Sequence, residues 1–168
     1  MNENIPSDLL IAQERAYAPS GLTSHSFKEE RESEEYKAFD FEMNNRRIKF
    51  RIGKITPTKI GQFTTLWKRI GKGPIMPFDL EDPIDLVVIS VRDGEHLGQF
   101  VFPKMTLCEK GIISKEGKEG KRAMRIYPPW DHPDNKQAKN TQAWQLPYFF
   151  EISPDSSLNT TRIKQLFS

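Results

Sequence analysis

From Phe39 onward the chain alternates between apolar and polar positions. Phe39, Phe41 and Met43 are separated by polar residues, as are Ile48, Phe50 and Ile52, a period of two that marks half-buried strands. Asn44 and Asn45 lie between the two runs and favour a tight turn, so a hairpin is predicted. Residues 84–91 form the most apolar run and predict a central strand covered on both faces. Arg92-Asp93-Gly94-Glu95 predicts a turn, residues 96–102 the returning strand, and Pro103 its end. Residues 61–69 are rich in β-branched and aromatic side chains and predict one further strand. Residues 123–127 and 148–152 predict a short strand and an edge strand.

Helical patterns gather at the two ends. Ser7 is placed to cap a short amphipathic helix reaching about residue 15, with Asp8 in its first turn. Pro19, Ser20 and Gly21 break it, and residues 28–37, free of Pro and Gly, predict a second, exposed helix. Residues 135–143 predict a helical turn and residues 158–167 a last amphipathic helix. The class is α+β, with a central mixed or antiparallel sheet flanked by helices. One domain is expected over residues 1–168: a helical segment 1–38, a sheet core 39–152 and a C-terminal helix 153–168. Ile60-Gly61-Gln62-Phe63 is echoed 37 residues later by Leu97-Gly98-Gln99-Phe100. The echo extends no further, so it predicts two similar strand starts, not a duplication.

Composition excludes several classes. A single cysteine, Cys108, rules out an intrachain disulfide framework and a thiolate-only metal cage. The apolar runs are too short to cross a membrane, and the polar, acidic start lacks a signal-peptide pattern, so a cytoplasmic location is expected. The formal charge of +2 conceals strong segregation. Residues 1–42 carry a net −6, residues 43–75 a net +9 with no acid, residues 76–99 a net −5 and residues 100–125 a net +4. Such blocks either pair with one another or leave a local basic face for a phosphate-bearing partner.

Candidate chemistry follows from those blocks. Residues 111–118 approach a phosphate-cradling loop, but the glycine spacing is off by one and Glu119 replaces the hydroxyl that would meet a metal. The histidines are scattered, and Trp130-Asp131-His132-Pro133-Asp134 reads as an exposed turn. Asp85 opens an apolar strand, as the first carboxylate of a Mg²⁺-dependent nuclease would. Gln99 stands where that template wants a second acid, and Lys104 lies three residues beyond the position of its lysine. A phosphodiesterase on this plan would use Asp85 as metal ligand, with Glu81, Asp82 or Glu119 supplying the second acid; Mg²⁺ is expected only in that case. Lys54, Lys59, Lys68 and Arg69 are interleaved with Phe63 and Trp67, while Lys121, Arg122 and Arg125 precede Tyr127 and Trp130. Cations for phosphate and aromatic faces for bases are the requirements of flexible nucleic-acid binding. Phe63 and Trp67 are equally readable as core. Trp130, near two prolines, is expected to be exposed and free to stack.

Lys54-Ile55-Thr56-Pro57-Thr58-Lys59-Ile60-Gly61-Gln62-Phe63, Leu66-Trp67-Lys68-Arg69 and Gly98-Gln99-Phe100-Val101-Phe102-Pro103-Lys104 resemble the MepB-like proteins, small bacterial cytosolic proteins. Gly120-Lys121-Arg122, Arg125-Ile126-Tyr127-Pro128 and Gln142-Ala143-Trp144-Gln145 extend the likeness, which covers about residues 30–152. The resemblance implies a restriction-endonuclease-like core and binding of nucleic acid or a nucleotide-like ligand. The leading expectation is therefore a binding protein with a degenerate nuclease-like site. Phosphates would be held by Lys54, Lys59, Lys68, Arg69, Lys121, Arg122 and Arg125, with Trp67 or Trp130 stacking. A pocket for a small aromatic or anionic compound is the other alternative.

Overall fold

The computed structural model describes residues 4–152, 154 and 157–168. Ser7–Ala12 (α1) runs on through a π-helical stretch to Tyr17 and a 3₁₀ turn to Ser20. Then follow Ser24–Glu29 (β1), Phe39–Met43 (β2), Arg46–Ile52 (β3), Lys54–Ile55 (β4), Gln62–Thr65 (β5), Lys68–Arg69 (β6) and Ile75–Met76 (β7). Leu86–Asp93 (β8) and His96–Pro103 (β9) lead into Lys104–Glu109 (α2). Ala123–Ile126 (β10), Lys136–Gln145 (α3), Phe149–Glu151 (β11) and Thr160–Leu166 (α4) complete the chain.

The main sheet has the order β1-β2-β3-β8-β9-β11. Only β3 and β8 pair in parallel, so the sheet is mixed and the class is α+β. The expected hairpin forms, with Asn44 and Asn45 at φ 54° and 61°, the left-handed pair that a two-residue turn requires. β8 is central. Leu86 and Val88 face a core built from Leu9, Ala16, Tyr17, Phe41, Phe50, Ile163 and Phe167. Val87, Ile89 and Val91 face a second core with Phe100, Phe102, Leu107, Ile113, Met124 and Ile126. A strand buried on both sides can be apolar throughout, and this one is from Leu86 to Val91, apart from Ser90. A small sheet, β10-β5-β4, lies on the second side, and β6 with β7 forms a separate ribbon.

Four local expectations are corrected. Residues 28–37 are not a helix: their start belongs to β1, which pairs with β2, and Glu34–Tyr36 is a single 3₁₀ turn. Pairing with a preformed hairpin outweighs a modest helix propensity. The segment 1–38 is therefore only partly helical. Residues 61–69 are not one strand. The ladder to β10 ends at Thr65, Leu66 is buried, and Lys68–Arg69 pairs with β7 instead. Ser7 does not cap α1; Pro6 precedes the helix and its carbonyl accepts from Leu9 and Leu10 N–H, while Asp8 pairs with Arg92 at 2.7 Å. α3 is longer than a single turn, with Asn135 capping it through its side-chain oxygen and the Ala138 N–H.

Candidate functional site

The small sheet brings the two basic segments together. Lys54 on β4, Phe63 on β5 and Arg125 on β10 are direct partners across its three strands, so they share a face. The Arg125 guanidinium lies 5.8 Å from the centre of the Phe63 ring. It also donates to Thr56 Oγ1 (3.0 Å) and the Ile60 carbonyl (3.3 Å), which ties the 56–60 turn to β10. That turn carries Lys59. Gly61 follows it at φ 92°, with the Tyr127 ring 2.8 Å from where a Cβ would stand. Only glycine permits both the conformation and the approach. Gly98, the other half of the sequence echo, lies in the same way beneath the Phe149 ring. The echo thus marks two places where an aromatic ring lies against a strand's backbone.

Across the cavity, the loop after Ile113 is held by its own backbone. Gly120 N–H donates to Ser114 Oγ (2.7 Å), and Lys121 N–H donates to the Ile112 carbonyl (2.9 Å). A side chain at Gly120 would collide with the Ile112 carbonyl. α3 closes the far wall. Gln145 is buried and links α3 to β10 twice, accepting from Tyr127 N–H (2.9 Å) and donating to the Arg125 carbonyl (3.0 Å). Gln142 donates to the carbonyls of Pro128 (3.0 Å) and Asp131 (2.9 Å). The space between these parts is a cavity of about 610 Å³. Lys59, Lys121 and Arg125 line it, with Phe63, Tyr127 and Trp144 as aromatic walls and Asp134, Asn135 and Thr141 at the α3 side. Lys59 and Lys121 are exposed and form no ion pair among the described residues. Unpaired cations that converge on a concave, partly aromatic wall suit an anionic ligand.

The other candidate residues go elsewhere. Lys68 pairs with Asp82 at 2.8 Å. Arg69 approaches Glu32 (3.5 Å) and covers Trp67, and Arg122 pairs with Glu119 (3.1 Å). Trp130 is not free to stack: it lies flat on His96 with ring centres 4.9 Å apart and meets Phe149 edge-on at 5.8 Å. The aromatic side chains of the second core attract it more than solvent does. Asp85 and Lys104 come together beside a second cavity, where Lys104 N–H donates to the Asp85 carbonyl (3.1 Å), but Gln99 is not part of that lining. The Asp85 carboxylate accepts three hydrogen bonds from Arg47, two from the guanidinium (3.1 and 3.2 Å) and one from the backbone N–H (2.8 Å). Those Arg47 hydrogen bonds hold its carboxyl below the usual range. Gln99 is fully buried level with Ser90, accepting from Tyr17 Oη (2.6 Å) and donating to Ser90 Oγ (2.8 Å). Lys104 Nζ donates to the carbonyls of Leu80 (2.7 Å) and Asp82 (2.5 Å). Among the described residues, no three His, Cys, Asp or Glu side chains are grouped to hold a metal ion.

Sequence reasoning named Tyr127 as an aromatic neighbour of the second basic cluster but missed Trp144 and the α3 wall as site residues, although Gln142-Ala143-Trp144-Gln145 contains part of that wall. It also missed a charge cluster at the edge of the sheet. Arg51, with no exposed side chain, donates to both oxygens of Glu30 (3.1 Å each), and Lys49 contacts Glu30 (3.2 Å) and Asp40 (2.9 Å). Burial works to raise the Glu30 carboxyl, but Arg51, Asp40 and Lys49 outweigh it and hold it near 2. Asp40 is pushed up to about 6 by burial and by its hydrogen bond and charge repulsion with Glu30. Glu30 lies inside the predicted helix 28–37 that does not form, which is why nothing in the linear pattern announced the cluster.

A mixed α+β sheet carrying a basic, aromatic-lined cavity between a three-stranded sheet and one helix defines the structural class. The chain belongs to the MepB-like family, whose model matches residues 30–151. A solved structure described as "Crystal Structure of MepB" is 32% identical and superposes with a TM-score of 0.76. The match covers 94% of this chain and 100% of that one. No curated protein matches the chain. No helix among the described residues is long and apolar enough to cross a membrane.

Proposed function

We propose that the cavity between the small sheet and α3 binds a nucleotide-like, phosphate-bearing ligand. The convergence of Lys59, Lys121 and Arg125 from three separate elements on one aromatic-lined cavity carries this reading. The two lysines line the same cavity as Arg125 and form no ion pair among the described residues, so a phosphate held there gains charge-assisted hydrogen bonds without breaking an existing ion pair. Phe63 and Trp144 offer apolar area for a base. Asp134 adds one negative charge at the rim and disfavours a second anion there. The nuclease-like alternative has less support, because the Asp85 carboxylate is already satisfied by Arg47 and lies outside this cavity.

Isothermal titration with a nucleoside triphosphate tests the reading. Lys59→Ala and Lys121→Ala are each expected to weaken binding by about 1.5–3 kcal/mol, the range of hydrogen bonds to charged groups, while Asp85→Ala leaves the affinity unchanged. Binding that survives the double lysine variant but fails in Asp85→Ala would move the site to Asp85.

A further inference from the structure

Phe63 belongs to two surfaces at once. One side of its ring lines the cavity. It also meets Tyr36 edge-on, with ring centres 6.1 Å apart. Tyr36 sits on the 3₁₀ turn Glu34–Tyr36, within the connection from β1 to β2. That connection lies across the small sheet: Ser33 Oγ accepts from Thr65 Oγ1 at 2.7 Å, and Glu32 approaches Arg69. Lys54, exposed on β4, holds its ammonium 4.9 Å from the centre of the Tyr36 ring. From the cavity outward, Arg125, Phe63 and Lys54 follow one another across the three strands, and the Tyr36 ring lies against both Phe63 and Lys54, so aromatic rings stand between two cations. Lys54 makes no ion pair among the described residues.

We infer that Tyr36 and Lys54 form a second subsite continuous with the cavity, so that the ligand is single-stranded nucleic acid spanning at least two nucleotides. This rests on the cavity reading above and extends it. Adjacent strands are about 4.8 Å apart, which places Arg125 and Lys54 two strand spacings from one another across Phe63. A phosphate at each, with a base against the aromatic edge between them, requires a strand longer than one nucleotide to reach both. A duplex cannot use these rings, because its bases are already stacked and paired. Glu34 and Glu35 lie on the same turn as Tyr36 and repel phosphate from that side, which directs the backbone toward Lys54. The connection carrying Tyr36 has left-handed residues at Ser33 and Lys37, φ 59° and 51°, which set the turn that presents the ring.

Fluorescence anisotropy with thymidine monophosphate, the single-stranded thymidylate tetramer and a duplex of equal charge as competitors against a labelled tetramer tests this. The tetramer should bind roughly tenfold or more tighter than the mononucleotide, and tighter than the duplex. Tyr36→Ala should weaken tetramer binding by roughly 5- to 100-fold, the loss of one stacked base, and leave competition by the mononucleotide unchanged. Tyr36→Phe should retain tetramer affinity, and Lys54→Ala should reduce it and flatten its salt dependence. Equal affinity for mononucleotide and tetramer, or a Tyr36→Ala variant that folds and binds the tetramer as wild type does, overturns the second subsite while the cavity reading stands. A duplex that binds best also overturns it. Failure of both mononucleotide and tetramer to bind overturns both readings.

Discussion

Lys68 and Lys121 carry the same charge in the two basic segments and have different surroundings. Lys68 is spent on Asp82, and that carboxylate also accepts from Asp79 N–H at 2.8 Å, closing the turn before β8. Lys121 projects from a backbone-fixed loop and forms no ion pair among the described residues. Lys68→Ala should therefore lower stability by about 1–2 kcal/mol, between the values for exposed and buried pairs, and leave ligand affinity intact. Urea unfolding alongside a ligand titration reads both. Loss of affinity in Lys68→Ala at unchanged stability would place that lysine in the site. Of the seven cations proposed from the sequence as phosphate contacts, the structure gathers Lys59, Lys121 and Arg125 at the cavity and leaves Lys54 at its edge. Charge along the chain could not separate Lys121 from Lys68, because the acid that neutralises Lys68 is 14 residues away and meets it only once the chain has folded.

At the scale of elements, the strands with a strict period of two were readable because their neighbours are consecutive in sequence. β2 and β3 share a two-residue turn, and β8 and β9 share another at Gly94. β1 was not readable: its bulge, with Ser26 at φ 60° between His25 and Lys28, disrupts the alternation, and its partner begins ten residues further on. The charge cluster attached to this edge makes stability depend on pH. Asp40, raised to about 6 from an ordinary 3.8, stabilises the fold when protonated; that contribution is full at low pH and is lost as pH rises through about 6. Glu30, lowered from 4.5 to about 2, contributes above its ordinary value and loses its contribution as pH falls toward 2. Asp40→Asn should raise the melting temperature at pH 7.5 and flatten its dependence between roughly pH 4 and 7. Scanning calorimetry at several pH values checks this, and a variant less stable than wild type at pH 7.5 but equal at pH 4.5 would reverse the sign. A second element-scale prediction concerns β11, whose place on β9 depends on Gly98. A Cβ there would collide with the Phe149 ring and stand 2.6 Å from the Phe150 carbonyl. Gly98→Ala should cost about 1–3 kcal/mol of overpacking and expose β11 amides to hydrogen exchange. Unchanged protection of residues 149–151 would show that the edge adapts without strain.

For the whole molecule, the alternating charge blocks prove to have two fates. The acidic block ahead of β8 neutralises neighbours on its own side, through Lys68 with Asp82 and Arg47 with Asp85. The small sheet then carries part of the remainder of the basic blocks that has no ion-pair partner among the described residues, Lys59, Lys121 and Arg125, to one cavity, beside α3 and away from Asp85. The mixed class and the central strand could be read from pattern alone. The meeting of residues 54–63 with residues 121–125 could not, because it depends on β5 pairing with β10 across some sixty residues of intervening chain. The central claim is that this remainder binds phosphate. Titration of the thymidylate tetramer at salt concentrations between roughly 50 and 300 mM tests it most directly. About three or four neutralised phosphates predict a slope of about −2 to −3 in log affinity against log salt, made shallower by the Lys59→Ala/Lys121→Ala double variant. An affinity that does not change with salt, or a slope the double variant leaves as steep, would contradict it.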